Sequence, residues 1–502
     1  MSDRLASQLS TTSHEIKTLI LSFHPLVVIE TVEEDRVELI LDSVASQLGI
    51  PLFEWSLTKG LRRRGERIPF HATDQPLILL KHLAGLTVEG IFLLKDFSQH
   101  LSSPEVSRQF KELGESFSQK RSTLVLTGGS VDLPSDILHL AVHYDLKLPG
   151  EGELRGMLRE LFRSLRKQKP YTLDLGPDDL EHLVSALRGL TLKQARRMVA
   201  YCVWEDARLD SDDIEKILAR KGKAIREQGL LEYYPAEANN YELGGFGSLR
   251  AWLARAKVGF SKEARGLNLD PPKGILLVGV QGCGKSLAAK HVARDWGLPL
   301  LRLEMSRMYD KFIGESEKNF RRAIQQAESM APVVLWIDEI EKGLSAPKSS
   351  EADGGLSARL MGTFLTWLQE KNSDVFVVST ANNVSALPAE LLRKGRFDEV
   401  FFVDLPNHEE RKAILRIHLQ LRQQDPGRFD LDRLAERLDG YSGAEIEQLI
   451  VSALYQSLHG KTALTTETIE TEGSSTIPLS VSRREEVSAL REWARDRFVN
   501  VR

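Results

Sequence analysis

A chain of 502 residues exceeds what one hydrophobic core supports, so we expect more than one domain. Its 67 basic and 71 acidic side chains give a formal net charge of -4, which excludes a strong overall field for nucleic acid and requires any polyanion site to be local. With Cys202 and Cys283 as its only cysteines, the sequence also excludes a disulfide framework and a cysteine zinc site, as is typical of a reducing compartment.

The first half of the chain alternates predicted strands with a predicted helix. Four apolar runs are typical of buried strands: residues 26–30, 50–56, 91–97 and 123–129. Residues 33–49 between the first two runs show helical spacing. This alternation indicates a parallel sheet, so we predict an α/β domain over residues 1–149. The pattern is then helical to about residue 225, which predicts a helical domain over residues 150–228.

The same series restarts in the second half, after residues 229–242, which we expect to be a linker. Five more apolar runs predict strands: residues 275–279, 298–304, 333–339, 375–382 and 400–406. They predict a second α/β domain over residues 243–407 with a parallel sheet. A helical domain over residues 408–502 completes the predicted α/β fold class.

The two halves match at a constant spacing. Thr31 and Gly49 in the first half stand 248 residues before Gly279 and Gly297 in the second. Chance similarity between generic α/β segments is one explanation. An internal duplication is the other, and several matches in the same order favour it.

The segment that follows the first predicted strand of the second half fits the pattern G-x-x-x-x-G-K-[ST]. Glycines in such a turn let backbone N–H groups point at phosphate oxygens beside a helix N-terminus. Lys285 would reach the β- and γ-phosphates, and Ser286 would coordinate Mg²⁺. The residues that we expect to bind ATP here are Gly279, Val280, Gln281, Gly282, Cys283, Gly284, Lys285, Ser286 and Leu287.

Two carboxylates end the strand at residues 333–339, and an amide ends the next one. Asp338 is placed to complete a Mg²⁺ site with Ser286, and Glu339 to act as a general base on water. Asn382 would hold that water near the γ-phosphate, although asparagine also forms turns after strands. Hydrolysis of ATP, beyond its binding, is the predicted reaction.

With these motifs the second half resembles the AAA family of ATPases over about residues 240–460. LLRKGRFD at 391–398 is similar to the arginine-finger segment of that family, which implies that Arg393 and Arg396 reach the γ-phosphate in a neighbouring subunit. The resemblance therefore implies a homo-oligomeric ring, usually a hexamer. It also implies that the helical domains over residues 150–228 and 408–502 are the lids of the two halves. Nucleotide contacts are implied at Gly244, beside adenine, and at Gly443 and Ala444 in the second lid.

The same resemblance implies a pore loop that grips a polypeptide. KFIG at 311–314 is similar to that loop, so its residues are Lys311, Phe312, Ile313 and Gly314, with Phe312 as the paddle. A core position for Phe312 is the alternative. Residues 346–358, small and polar, fit either a second pore loop or a surface loop.

The first half lacks these motifs. At the 248-residue spacing Val37 and Glu38 stand where Lys285 and Ser286 are, and the acids at 33–35 lie opposite the glycine turn, where they would repel a triphosphate. Asp96 matches Asp338, but Phe97 replaces Glu339. We therefore predict a degenerate AAA-like domain that acts as scaffold or receptor.

A basic cluster at residues 59–67 of the first half is open to more than one interpretation. Its lysine and arginines would form an entry loop for an acidic polypeptide, a phosphorylated ligand or nucleic acid, or simply a solvated loop. Aromatic residues for base stacking are not interleaved with them. Cys283, beside loop amides at a helix start, is in a setting that can lower a thiol pKa and permit redox control.

Over nearly its full length the chain resembles the hypothetical-chloroplast-reading-frame AAA ATPases of cyanobacteria and algal plastids, which implies the cytoplasm or the plastid stroma. No signal peptide or membrane-length apolar run occurs, so we expect an intracellular protein without an integral membrane segment. The predicted function is Mg²⁺-dependent ATP hydrolysis that remodels or threads a protein substrate. A nucleotide-gated binding protein is the alternative, and a nucleic-acid motor is less favoured.

Overall fold

The computed structural model describes residues 3–66, 68–168, 170–227, 229–235, 244–305, 315–344, 356–393, 395–495 and 497–502. The chain divides into two compact units, Met1–Ile217 and Leu218–Arg502. Among the described residues, no helix has both the length and the apolar character that crossing a membrane requires.

The first unit contains a sheet and two groups of helices. Its strands are β1 (Leu26–Glu30), β2 (Leu52–Ser56), β3 (Gly60–Arg63), β4 (Ile91–Lys95), β5 (Thr123–Gly128), β6 (Ala141–His143), β7 (Thr172–Leu173) and β8 (Arg208–Leu209). Its helices are α1 (Asp3–Leu21), α2 (Glu34–Leu48), α3 (Pro76–Gly85), α4 (Pro104–Phe117), α5 (Glu151–Gln168), α6 (Pro177–Leu187), α7 (Leu192–Asp206) and the start of α8 (Ser211–Glu227). The sheet has the order β3-β2-β4-β5-β1-β6, and only β3 runs antiparallel to its neighbour.

The second unit repeats this plan. Its strands are β9 (Leu231–Tyr234), β10 (Gly274–Gly279), β11 (Leu300–Glu304), β12 (Val333–Asp338), β13 (Val375–Ala381), β14 (Glu399–Val403) and β15 (Val499–Asn500). Its helices are α9 (Gly247–Lys257), α10 (Lys262–Gly266), α11 (Lys285–Trp296), α12 (Glu315–Ser329), α13 (Ile340–Leu344), α14 (Leu356–Glu370), α15 (His408–Leu421), α16 (Leu431–Arg437), α17 (Gly443–His459), α18 (Thr466–Ser475), α19 (Leu479–Ser482) and α20 (Arg484–Ala494).

The two sheets share one strand order. The second sheet runs β15-β14-β10-β13-β12-β11-β9, and without β15 it matches β6-β1-β5-β4-β2-β3 of the first. Both central strands, β1 and β10, are apolar apart from Glu30 at the end of β1 and are fully or almost fully buried, as parallel strands covered on both faces must be. The predicted α/β fold class is confirmed, and the repeated order supports the duplication.

Two segments of the second unit differ from the sequence-based expectation. β9 lies inside the predicted linker, where Leu231 and Tyr233 alternate with half-buried neighbours and are buried against the sheet edge. β15 lies at the end of the predicted helical domain and pairs in parallel with β14. Both strands are very short, and such elements are held by pairing with an existing sheet edge more than by their own pattern.

The basic cluster at residues 59–67 also differs from the expectation of a loop. Its described part contains β3, which pairs with β2 so that Arg62 lies opposite Glu54. Arg62 Nη2 is 3.1 Å from a Glu54 carboxylate oxygen, and Arg64 contacts both Glu54 and Glu38. Arg62 and Arg64 therefore neutralise acids of their own unit, and Arg67 lies outside the described residues.

The core of the second unit positions the site. Apolar side chains cover both faces of its sheet, and Trp296 packs on Phe376 with ring centroids 4.4 Å apart. The strands are rigid because they are buried on both sides. The carboxyl ends of β10, β12 and β13 therefore hold the turns that follow them in fixed relative positions.

Candidate active site

The turn after β10 is built from glycines that no other residue can replace without strain. Gly282 and Gly284 adopt φ values of 77° and 88°. A Cβ at Gly279 would lie 2.0 Å from the Val403 carbonyl oxygen on β14. This backbone leads directly into α11, which begins at Lys285. The N-terminal amides of α11 and the turn therefore form a site for an anion.

Lys285 is buried beneath the turn. Its Nζ donates to the carbonyl oxygens of Gly279 and Val280, both at 2.8 Å. Burial lowers the pKa of Lys285 to about 8 from an ordinary value of 10.5. Its ammonium is thus held at the turn by two neutral acceptors, which phosphate oxygens can replace with a stronger, charge-assisted contact.

Asp338 and Ser286 meet at the end of β12. Ser286 Oγ lies 3.5 Å from Asp338 Oδ1, and Thr380 Oγ1 on β13 donates to the same oxygen at 2.8 Å. Hydroxyl and carboxylate oxygens are the donors that Mg²⁺ prefers. The residues at this position therefore fit a magnesium ion.

Glu339 and Asn382 are brought into contact beside this pair. Glu339 adopts a left-handed φ of 47°, an uncommon conformation for a side-chain residue, in the turn from β12 to α13. Asn382 Nδ2 donates to Glu339 Oε1 at 3.1 Å, and Lys342 Nζ lies 2.5 Å from the other carboxylate oxygen. The carboxylate and the amide are therefore close enough to share one water.

A cleft of about 340 Å³ collects most of the predicted nucleotide residues. The predicted residues that line it are Gly244, Gln281, Gly282, Cys283, Gly284, Lys285, Ser286, Leu287, Asp338, Glu339, Asn382, Gly443 and Ala444. Gly279 and Val280 are not among its lining residues. Their contribution is the two carbonyl groups that hold Lys285.

The lid reaches the phosphate turn through the start of α17. Ser442 and Glu445 form a capping box there, and Ala444 N donates to the Gly282 carbonyl oxygen at 3.0 Å. A Cβ at Gly282 would lie 3.0 Å from Ser442 Oγ. Glycine at this position therefore also permits close approach of the lid.

Sequence reasoning missed several residues that line the cleft. Thr380 contacts Asp338, and Glu410, Ile414 and His418 face the cleft from α15. A Cβ at Gly244 would lie 3.4 Å from Ile414, so the chain before α9 packs closely on α15. The spacing of Glu410, Ile414 and His418 on one helical face was the available signal, but only tertiary docking shows what that face covers.

The predicted arginine fingers lie outside the cleft of their own chain. Arg393 is exposed and Arg396 is half-buried, and neither lines the cleft. The predicted pore-loop residues Lys311, Phe312, Ile313 and Gly314 lie outside the described residues, as do residues 346–355 of the second loop.

The prediction of a lowered thiol pKa at Cys283 is wrong. The side chain is 8% exposed, and burial raises the pKa of the thiol to about 12. The side chain belongs to a buried apolar cluster packed on the second sheet, where a thiolate would lack solvent. The hypothesis of redox control loses its physical basis.

The corresponding site of the first unit differs from the predicted alignment by one residue. Asp96, with φ 53°, and Glu339, with φ 47°, both stand in the left-handed turn after their strands. Each carbonyl accepts from the N–H three residues on, at Gln99 and Lys342. Asp96 therefore matches Glu339, and Lys95 stands where the second unit has Asp338.

The acids of the first unit are paired rather than repulsive. Lys95 contacts Glu38 and lies 3.3 Å from Glu34. Burial alone would raise the pKa of Glu38, but hydrogen bonds from Lys95 and Arg64 outweigh it and lower that pKa. The position of a metal and a triphosphate is thus filled by side-chain ion pairs.

A second network of ion pairs and hydrogen bonds lies at the same sheet edge of the first unit. The buried Glu33 carboxylate accepts from Leu192 N at the start of α7 at 2.8 Å and from Arg36 at 3.2 Å. Arg36 also makes two contacts of 2.9 Å with Glu153 and donates to the Lys147 carbonyl oxygen at 2.6 Å. These side-chain contacts therefore hold α5 and α7 against the turn after β1.

Family models match both halves. Residues 275–405 match the ATPase family associated with various cellular activities (AAA), and residues 428–470 match the AAA+ lid domain. Residues 12–146 and 152–228 match the N-terminal and second domains of SpoVK-like AAA ATPases.

Whole proteins match as well. The chain is 36% identical to the AAA domain-containing protein ycf46 of Trieres chinensis, over 96% of both chains. The ycf46 protein of Pyropia yezoensis is 35% identical over 96% of this chain and 98% of its own. A cell division cycle protein 48 homolog of Archaeoglobus fulgidus is 35% identical over 38% of this chain and 26% of its own. Because similarity to ycf46 proteins extends over nearly the whole length of both partners, the chain belongs to the ycf46 family of AAA+ ATPases.

Proposed function

We propose that this ATPase is Mg²⁺-dependent, assembles as a hexameric ring, and uses ATP hydrolysis to remodel or thread a protein held in the central pore. The observation that carries the proposal is the convergence of a cationic phosphate turn, two carboxylates and an amide at one sheet edge. The cleft holds no arginine finger of its own chain among its lining residues.

Within one subunit the geometry supports the following roles. Lys285 and the N-terminal amides of α11 bind the β- and γ-phosphates. Ser286 and Asp338 would hold Mg²⁺, which would supply charge neutralisation on the phosphate oxygens. Glu339 accepts the proton of the attacking water, and Asn382 holds that water in line with the γ-phosphate.

Arg393 and Arg396 act on the nucleotide of a neighbouring subunit. A cation from outside the phosphate turn stabilises charge in the transition state, so hydrolysis depends on assembly. A mixing experiment tests this. Lys285→Ala supplies arginines but binds no ATP, and a variant with Arg393→Ala and Arg396→Ala binds ATP without supplying them. Each alone should be inactive, and their mixture should regain phosphate release. Failure of every mixing ratio would contradict action in trans.

Remodelling is tested by trapping the client. Glu339→Gln should bind ATP without hydrolysing it and hold a client protein through purification from native extract. The matched control adds Lys285→Ala, so that ATP no longer binds and the client should be lost. Recovery of the ATPase alone in both preparations would count against remodelling.

A nucleotide-gated binding protein is the competing function. Phe312→Ala distinguishes the two, since a remodeller would keep ATP hydrolysis and lose client unfolding, whereas a switch would keep its ATP-dependent partner. A nucleic-acid motor is disfavoured by the ion pairs of Arg62 and Arg64 with acids of their own unit. For the site of action we propose the plastid stroma or the bacterial cytoplasm, in keeping with the ycf46 relatives.

A further inference from the structure

Arg302 lies beside the candidate metal site but was not among the predicted functional residues. It stands in the middle of β11, opposite Glu232 on β9 and Trp336 on β12. Side chains directly opposite on neighbouring strands project from the same face of a sheet. Asp338, two residues after Trp336 on β12, shares that face.

The guanidinium of Arg302 is fixed by three contacts. Its Nη2 lies 2.9 Å from Asp338 Oδ2, and its Nη1 lies 3.3 Å from a Glu232 carboxylate oxygen. Its central carbon lies 4.8 Å from the ring centroid of Trp336. A planar guanidinium that stacks on a ring and bridges two acids has little rotational freedom, unlike an ammonium on a flexible chain.

These contacts divide the two oxygens of Asp338 between different partners. Oδ2 faces Arg302, whereas Oδ1 accepts from Thr380 and faces Ser286. The carboxylate plane is thereby fixed with one oxygen directed at the serine hydroxyl. Oδ1 and the Ser286 oxygen are the pair that we assign to Mg²⁺.

We propose that Arg302 is a positioning residue for the magnesium site, acting through Asp338. The inference rests on the proposed function in that Asp338 is taken as a metal ligand. Outer partners that orient a metal ligand typically change metal affinity by about 10- to 100-fold when they are removed.

The first unit supports this grouping independently. Glu54 stands 248 residues before Arg302, and it pairs across the strands with Arg62 as Arg302 pairs with Glu232. Lys95 stands where Asp338 does. The first unit, which lacks the phosphate turn, therefore carries the opposite charge at all three positions. The three side chains thus form one electrostatic group whose charges differ together between the units.

Arg302→Gln tests the proposal in the full chain. A fluorescent N-methylanthraniloyl derivative of ATP is titrated first in EDTA and then with increasing Mg²⁺. The Mg²⁺ concentration for half of the metal-dependent change should rise about 10-fold or more, while nucleotide affinity in EDTA changes by no more than about 2-fold. Glu232→Gln is the matched control, since it leaves the contact with Asp338 in place and should shift the Mg²⁺ requirement much less.

The outcomes separate the two proposals. An unchanged Mg²⁺ requirement in Arg302→Gln, with a metal-dependent change present in the wild type, overturns the role of Arg302 alone. If the wild type itself shows no metal-dependent change, the proposed magnesium site fails as well. Should Arg302→Gln not fold, Arg302→Lys replaces it, because lysine keeps the charge but not the planar fork. A wild-type Mg²⁺ requirement in Arg302→Lys would then overturn the proposal.

Discussion

The two units place side chains of opposite charge at matching positions along the same edge of their sheets. In the second unit Ser286 faces Asp338, and Arg302 holds the other oxygen of that aspartate. In the first unit Glu38 faces Lys95 at the matching positions. One arrangement leaves oxygen ligands for a cation and a turn for phosphate, whereas the other satisfies its charges internally. The two units therefore share the strand order that the fold requires, whereas only the second carries the groups for nucleotide chemistry.

The contact between the helical lid and the turn after the central strand also differs between the two units. In the second unit the start of α17 contacts the phosphate turn through a backbone hydrogen bond from Ala444 to Gly282. In the first unit the start of α7 is capped by the buried Glu33 side chain, which Arg36 also holds. The first contact is a single backbone hydrogen bond between neutral groups. The second includes a buried ion pair, so we expect the helical lid of the first unit to be held more firmly.

Substitutions in the two units should differ most in their effect on the rate of ATP hydrolysis. Lys285→Ala should lower the rate of ATP hydrolysis by at least about 100-fold, because one charged donor to the transferring phosphate is lost. Lys95→Ala, which removes a lysine at the corresponding sheet edge of the first unit, should leave the rate within about 2-fold at temperatures where the chain stays folded. Phosphate release measures both. Equal losses in the two variants would contradict a single active site.

The fastened lid predicts a large effect on stability in the first unit only. Arg36→Ala leaves the buried Glu33 and Glu153 without their cation and should cost about 3 kcal/mol. Hydrogen exchange of peptides from residues 26–56 measures the loss of protection. Arg108→Ala, in an exposed pair with Glu112, is the control and should cost no more than about 0.5 kcal/mol. Unchanged protection in Arg36→Ala would show that the network does not fasten the lid.

The buried lysine predicts a pH dependence that belongs to the second unit. Its folded-state pKa of about 8 lies below the ordinary 10.5, so the ammonium that binds phosphate is lost as the pH rises through about 8. Without Mg²⁺, affinity for ATP should be constant below that pH and should fall by up to about 10-fold per pH unit above it. Lys285→Arg stays charged and should remove the dependence. Constant wild-type affinity up to about pH 10 would refute this explanation.

The smallest effect concerns Cys283, which the first unit lacks at its matching turn. Because burial raises its thiol pKa to about 12, the side chain should be unreactive toward iodoacetamide at neutral pH in the folded chain. Cys283→Ser should keep hydrolysis within about 2-fold of the wild type. Mass spectrometry of labelled peptides provides the measurement. Rapid alkylation of Cys283 in folded protein would reverse this conclusion.

The main features of this comparison could be predicted from the sequence, because they depend on local rules. A glycine turn between strand and helix, with acids ending a later strand, places Lys285 and Asp338 at one edge of any parallel sheet. The absence of those motifs from the first half was visible in the same way. What the acids of that half do was not, since the pairing of Glu38 with Lys95 depends on how separate elements pack.

The remaining features depend on register and burial. The match of Lys95, not Asp96, to Asp338 is a one-residue difference that only the left-handed turn reveals. Arg302 could not be linked to Asp338 without the pairing of β11 and β12. The raised pKa of Cys283 follows from its burial in an apolar cluster, which no local pattern encodes.

We infer that the second unit binds nucleotide and that side-chain ion pairs fill the corresponding site of the first unit. Titration calorimetry of the Glu339→Gln variant with ATP and Mg²⁺ tests it most directly, with the same variant carrying Lys285→Ala as the control. We expect one nucleotide per chain in the first protein and none in the second. Two nucleotides per chain, or binding that survives Lys285→Ala, would contradict it.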